Sequence, residues 1–295
     1  MRNRSRVLAC MTLGTLALGL AACSDQAAGP GQPALTKAQA DSLAGVVTAD
    51  VDAMAQGAAV GTWDGGLAAA GGGPIDMGDR LGWGCMPAKS PATPANSDAD
   101  PVPDSIRLDF SGCGTTTRRG TVAYSGTIDV LDPTPTDSDF AVKLVYTDFA
   151  RTQTGIAGGT SSVTQNGSRQ FLRSPSVLQQ VEHDFHTDVT FPDGSTASHV
   201  KDWSSTFIAD VAGSIGRGRL PSGTWDITGT STWTRGDRTY SLAVTTDPDL
   251  HYDASCAETP RFDAGKLTAV VTRAGTTSTV TVEFPACGQY TVTKT

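Results

Sequence analysis

Histidine is scarce in this chain, at four residues of 295, and the familiar local signatures of catalysis are missing. There is no Gly-x-Ser-x-Gly elbow to present a serine, no glycine loop to cradle phosphate, no His-Glu-x-x-His helix for zinc and no twelve-residue calcium loop. No close Cys-x-x-Cys pair exists, which argues against a cysteine-held metal. Basic residues are outnumbered, 22 to 30. That deficit argues against nucleic acid and against electrostatic docking on anionic lipid. Long apolar runs are absent as well. The best one, residues 7–20, has fourteen residues, whereas a helix needs about 20 to cross a bilayer.

What is present begins at the first residue. Arg2, Arg4 and Arg6 precede the apolar run with no acid among them, the layout of a secretory signal. The run ends in Leu20-Ala21-Ala22-Cys23, which resembles the lipobox of bacterial lipoproteins. Small residues suit a narrow peptidase cleft, and a thiol is needed there to accept diacylglycerol. The resemblance implies cleavage before Cys23 and multiple acylation (palmitate among the chains) on that cysteine. Two or more chains anchor stably where one does not. Ser24 follows Cys23, with Asp25 one place later, and by the sorting habit of Gram-negative lipoproteins this leans to the outer over the inner membrane. The leader holds three of the 22 basic residues and none of the 30 acids, so the mature chain carries a formal −11.

The expected organisation is a signal peptide at 1–22, a lipid-anchored tether at 23–35, a helix at 36–56, a Gly/Ala-rich linker at 57–80 and a β domain at 81–295. The tether reads as flexible from its Gly29-Pro30-Gly31 composition. For the helix, Thr36 and Gln39 form a capping-box pattern, and Leu43, Val46, Val47 and Val51 make a stripe at helical spacing. The linker holds Trp63 as a candidate anchor. Beyond it Thr, Val, Gly and turn residues dominate. The clearest hairpin is 225–246, with a two-residue turn at Gly236-Asp237 that pairs Trp233 with Tyr240, Ser231 with Leu242 and Gly229 with Val244. Trp225, Ile227, Trp233, Leu242 and Val244 then share one buried face with Tyr240. A second hairpin, 266–284, turns at Arg273-Ala274-Gly275-Thr276. A third joins 181–191 to 196–208 through Pro192-Asp193-Gly194-Ser195, and Asn166-Gly167 marks a further turn. The fold class expected is mostly β, an antiparallel sandwich or a curved sheet or partial barrel, with one short N-terminal helix.

Outside the leader and the lipobox four cysteines remain: Cys85, Cys113, Cys256 and Cys287. An even count in an exported chain reads as two disulfides, of which three pairings are possible. Spacing favours Cys85–Cys113 and Cys256–Cys287. Each second cysteine ends a similar phrase, Ile106-Arg107-Leu108-Asp109-Phe110-Ser111-Gly112-Cys113-Gly114 and Val280-Thr281-Val282-Glu283-Phe284-Pro285-Ala286-Cys287-Gly288. One strand-loop-strand element used twice would give two related halves; chance similarity is the alternative. Together with the lipobox and the helix near Thr36, these Asp/Glu-Phe-x-x-Cys-Gly segments resemble uncharacterised β-rich lipoproteins of Gram-negative bacteria over most of residues 36–295. That family offers no active site to carry over.

One cluster suggests chemistry: His183, Asp184, His186, Asp188 and His199. With Asp193-Gly194 centred at the turn, Asp188 faces His199 and His186 lies diagonal to it, a set able to hold zinc. Glu182, Lys201 and Trp203 share that face, which reads more plainly as the wet side of an amphipathic hairpin. The acidic stretch 97–105, broken by Pro101 and Pro103, suits Ca²⁺ or, preferably, a solvated loop. The leading expectation is a non-enzymatic envelope lipoprotein, a binding or structural module with no cofactor. Its partners would be the membrane through Cys23 and an envelope protein or glycan. The alternatives are a metal-dependent hydrolase using His186, Asp188 and His199, and a carrier of lipid or lipoprotein with a large apolar pocket.

Overall fold

A computed structural model describes residues 35–61, 86–98, 100, 102–118, 120–215, 220–236, 238–273 and 275–295, with helix side chains described as far as Val51. The expected signal peptide, Cys23, the expected tether but for Leu35, most of the expected linker with Trp63, and Cys85 all lie outside the described residues.

Helix α1 spans Lys37–Gly61. Its start is the expected capping box: the Gln39 N–H donates to Thr36 Oγ1 at 3.2 Å, and the Thr36 N–H donates to Gln39 Oε1 at 2.9 Å. The helix runs five residues beyond the expected end, through Gly57 into Ala58-Ala59, where alanine, the best helix former, offsets the glycine, and it stops at Gly61. Its buried stripe is Ala40, Ala44, Val47 and Val51, with Leu43 and Val46 partly covered. The two alanines let the backbone approach the sheet closely.

The strands are β1 (Ala88–Ser90), β2 (Ser105–Asp109), β3 (Cys113–Thr117), β4 (Gly120–Leu131), β5 (Phe140–Gly155), β6 (Thr160–Arg173), β7 (Val177–Thr190), β8 (Thr196–Ala209), β9 (Gly223–Arg235), β10 (Arg238–Thr246), β11 (Leu250–Tyr252), β12 (Phe262–Ala264), β13 (Lys266–Arg273), β14 (Thr276–Ala286) and β15 (Gln289–Lys294). They form one antiparallel sheet, its main path β1-β2-β4-β5-β6-β7-β8-β9-β10-β13-β14-β15, and it does not close into a barrel. The curved-sheet form of the expectation is therefore the one the chain adopts. Helix α1 packs against β6 at one place and β14 and β15 at another. β14 and β15 stand six and seven steps from β6 along the ladder, so the sheet must curl around the helix.

A line of β-bulges bends it. The register shifts at four successive pairings, β4–β5, β5–β6, β6–β7 and β7–β8, because β5 carries an extra residue at Asp148 and β7 one at Asp184. A bulge adds one residue to its strand and sharpens the local bend. Asp148 (φ 49°) and Asp184 (φ 46°) take left-handed conformations there, opposite Gly126 (φ 82°) and Gly167 (φ 98°). A Cβ on either glycine would strike the carbonyl of the facing aspartate. The Asp148 N–H donates to Asn166 Oδ1 at 2.7 Å, and the Asp184 N–H to Asp202 Oδ1 at 2.8 Å. Asn166-Gly167 thus lies within β6, facing the bulges of β5 and β7, and is not the turn its composition suggests.

The apolar interior has two parts. The larger joins α1 to residues of β7–β14, including Trp203, Phe207, Trp225, Trp233, Phe262 and Phe284. The smaller lies over β2–β6 around Phe110, Tyr124 and Phe149. The β9–β10 hairpin has the expected register, with Tyr240 opposite Trp233 and Leu242 opposite Ser231. The β13–β14 hairpin does too, with Arg273 opposite Thr276. The repeated phrases fall on β2 and β14, where Ile106, Leu108 and Phe110, and Val280, Val282 and Phe284, are all buried. Cys256 and Cys287 are bonded as expected, tying the segment after β11 to the β14–β15 turn. Cys113 is also disulfide-bonded.

The bridge spans a separation of 31 residues, which restricts the unfolded chain by roughly 2–4 kcal/mol. Replacing both cysteines by serine should lower unfolding stability by that amount in urea titration. A variant with the midpoint of the oxidised wild type would refute the brace.

Candidate functional site

The His/Asp hairpin is where sequence and structure part most sharply. Strands β7 and β8 pair with Thr187 opposite His199 and Asp188 opposite Ser198, one residue from the expected register. The connecting loop is five residues, 191–195, closed by the Phe191 N–H donating to the Ser195 carbonyl. A one-residue slip sends each side chain to the other face. His199 is accordingly inside, 2% exposed, while Asp188 is outside. The expected trio His186, Asp188 and His199 is not brought together. His183 and His186 stay on the outer face with carboxylate partners, His183 Nδ1 to Asp202 at 3.0 Å and His186 Nε2 to Asp184 at 2.7 Å.

Of the face taken for wet, Asp184, His186 and Asp188 stay outside while Glu182, His199, Lys201 and Trp203 lie inward, because the bulge at His183-Asp184 resets the alternation and puts Glu182 and Phe185 both inward. A buried chain of charge results. Arg169 Nε lies 2.8 Å from Glu182 Oε1, directly across β6 and β7. Lys201 Nζ lies 3.9 Å from Glu182 Oε2 and 3.4 Å from Asp50 Oδ1 of α1. The Arg169 guanidinium also sits 4.0 Å over the Phe185 ring. Burial pushes the Asp50 carboxyl above its ordinary range, opposed by Lys201. Beside this chain, His199 stacks on Trp233 with ring centroids 3.3 Å apart, and its Nε2 meets Ser231 Oγ at 2.5 Å. Burial, then the Lys201 charge, push His199 down to about 2. It is a neutral imidazole fixed by packing, not an exposed base. One carboxylate from α1 and three alternating charges from the sheet make a net-neutral chain that latches helix to sheet.

His251 has a different setting, between Asp263 on Nδ1 (2.5 Å) and Asp210 on Nε2 (3.0 Å). Burial lowers its pKa, but the two carboxylates outweigh that and raise it. With both ring nitrogens facing acceptors, neither is free to take up a substrate proton.

Acidic groups converge elsewhere. Asp98 and Asp100, in the β1–β2 loop, meet Asp132, just past β4, with one carboxylate oxygen of each within 4.8 Å of the others. This is the one such group among the described residues. Asp100 and Asp132 are 8% and 7% exposed, so the loop is not the solvated one expected. Val102, fully buried, draws it inward. Burial first, then neighbouring acids, raise Asp100 to about 6 against the hydrogen bond from Val102, and Asp132 is raised as well.

Sequence reading missed Asp50, Arg169, Glu182 and Asp132 as site residues. A signal existed for Asp50 alone: it lies three residues after Val47 and one before Val51, an acid within the apolar stripe. Nothing local announces that Asp132 meets a loop thirty residues earlier.

Compared with family models, curated proteins and solved structures, the chain has no match in any of the three.

Proposed function

We propose that the protein is an exported lipoprotein, held to the bacterial envelope by lipid on Cys23, whose folded part is a non-enzymatic binding or structural module. The observation that carries this reading is the arginine-led, fourteen-residue apolar segment ending in Leu20-Ala21-Ala22-Cys23. The Cys256–Cys287 bridge accords with an oxidising compartment. On the module itself, α1 and the aromatic side chains occupy the space inside the curled sheet, which supports a scaffold over a carrier. A cleft of about 270 Å³ between the β4–β5 and β6–β7 connections, lined by Thr134, Phe140, Arg173 and Gln179 among others, is below the roughly 300–1,000 Å³ of small-ligand sites. The scattering of His186, Asp188 and His199 over two faces removes the ligand set on which a hydrolase would rest. The partner is an envelope protein or glycan, and Ser24 after the lipidated cysteine favours the outer membrane.

In bacteria fed an alkyne fatty acid, wild-type protein should be labelled and enter the detergent phase. The Cys23→Ser variant should be unlabelled and stay aqueous. Equal labelling of the two would sink the lipoprotein reading, and sedimentation with inner-membrane vesicles would overturn the sorting.

A further inference from the structure

We propose that Asp98, Asp100 and Asp132 form a Ca²⁺ site that ties the β1–β2 loop to the β4–β5 connection. Each of these residues spends one oxygen on its own chain. Asp98 Oδ1 accepts from the Asp100 N–H at 3.0 Å, Asp100 Oδ1 from the Val102 N–H at 2.6 Å, and Asp132 Oδ1 from the Thr134 N–H at 2.8 Å. The remaining oxygen, Oδ2 in all three, is buried and accepts no hydrogen bond. Asp100 and Asp132 are more than nine-tenths buried. A buried carboxylate oxygen without a donor loses its hydration for nothing in return. Three in one place, with carboxylate oxygens within 4.8 Å, repel one another until a counter-charge enters.

The donor set selects the ion. It is all oxygen and carries three formal negative charges, which suits a hard divalent cation and excludes soft-metal chemistry. Ca²⁺ binds oxygens at about 2.3–2.6 Å in irregular geometry, so two ligands on opposite sides can stand as far apart as these do. Mg²⁺ demands near-octahedral ligands at about 2.0–2.1 Å, a tighter cage than a loop and a strand end supply. The loop is already held in shape: the Ser97 N–H and hydroxyl donate to Asp104, Asn96 Nδ2 donates to the Asp100 carbonyl, and the Asp132 N–H donates to the Asp104 carbonyl. The ion therefore finds its ligands preformed, and it joins two segments that flank the smaller apolar core. This inference does not depend on the lipid anchor.

The test uses the full chain purified in detergent, stripped with EDTA and desalted, then titrated with CaCl₂ by calorimetry and followed by thermal melting. Wild type should take up a single Ca²⁺ with a dissociation constant of about 10⁻⁴–10⁻³ M or tighter, and melt higher with Ca²⁺ present. Asp132→Asn and Asp100→Asn should weaken binding at least tenfold and lose the melting shift. Asp137→Asn, an exposed acid on the same connection, should leave both unchanged. No saturable uptake by wild type up to 10 mM would overturn the proposal, whether or not the variants fold. Equal weakening by Asp137→Asn would also overturn it, by showing diffuse acidic attraction, and tighter binding of Mg²⁺ would overturn the choice of ion.

Discussion

Replacing Asp50 by alanine should destabilise the fold by about 3 kcal/mol or more, although the residue sits on a helix surface and its side chain is small. Asp50 is the only member of the buried chain Asp50–Lys201–Glu182–Arg169 contributed by α1. Its loss leaves Lys201, 12% exposed, with half its compensation gone. An uncompensated buried charge costs about 3–5 kcal/mol, far more than the intact pair contributes relative to apolar groups. The double variant Asp50→Leu/Lys201→Met removes both charges at similar volume and should recover most of the stability, leaving Glu182 paired with Arg169. Urea unfolding of the four proteins at pH 7 closes the cycle. If the double variant is as unstable as the two single losses added, the latch is not an ion pair and α1 is held by its apolar stripe alone.

Acid should weaken the protein through His199. Its folded pKa is about 2, whereas an unfolded histidine titrates near 6.5. The folded value is depressed, so below pH 6.5 the unfolded chain binds a proton that the folded chain refuses. The stability it contributes is full above 6.5 and falls as the pH drops, by about 1.4 kcal/mol per unit, or about 3 kcal/mol by pH 4.5. The groups facing the ring are Asp50 from α1, Lys201 from β8, and Ser231 and Trp233 from β9. Asp50 itself is raised by burial and so works in the opposite direction, which makes a matched variant necessary. His199→Gln keeps a hydrogen-bonding group and cannot titrate. The gap between wild type and variant should change by about 2 kcal/mol between pH 6.5 and 4.5 in urea. The His199 ring protons should show no titration above pH 4 by NMR. Parallel pH profiles would mean that the folded protein accepts the proton, on the ring or shared with Asp50.

Both effects arise where local patterns mislead. The third hairpin was readable as two strands and a Pro-Asp-Gly-Ser turn, but its register depends on how five loop residues close and on an extra residue at Asp184. Those two choices are made by the neighbours: Gly167 leaves room for the Asp184 carbonyl, and Asp202 receives its N–H. Glu182, His199, Lys201 and Trp203 then lie inside, contrary to the expected pattern, and part of an apparent wet face becomes the floor under a helix.

What the sequence by itself determined is local. Thr36 and Gln39 announce a helix start because the capping hydrogen bonds join residues three apart. The β9–β10 register follows from alternation and a two-residue turn, and Cys256–Cys287 from spacing. The same holds for an antiparallel β fold with one helix. Tertiary structure decided everything that needs a distant partner. The open sheet curls because bulges at Asp148 in β5 and Asp184 in β7 shift the register of four successive pairings, although each is only a lone Asp in its own segment. Glu182 and Lys201 are buried because α1 covers them, and Asp50 because α1 turns it onto the sheet; charged residues carry no local mark of burial. Asp132 joins Asp98 and Asp100 because β2 pairs with β4 and brings Asp104 beside it. Side-chain chemistry is written in the chain, but which side chains share a space is set by closure of the sheet around its helix.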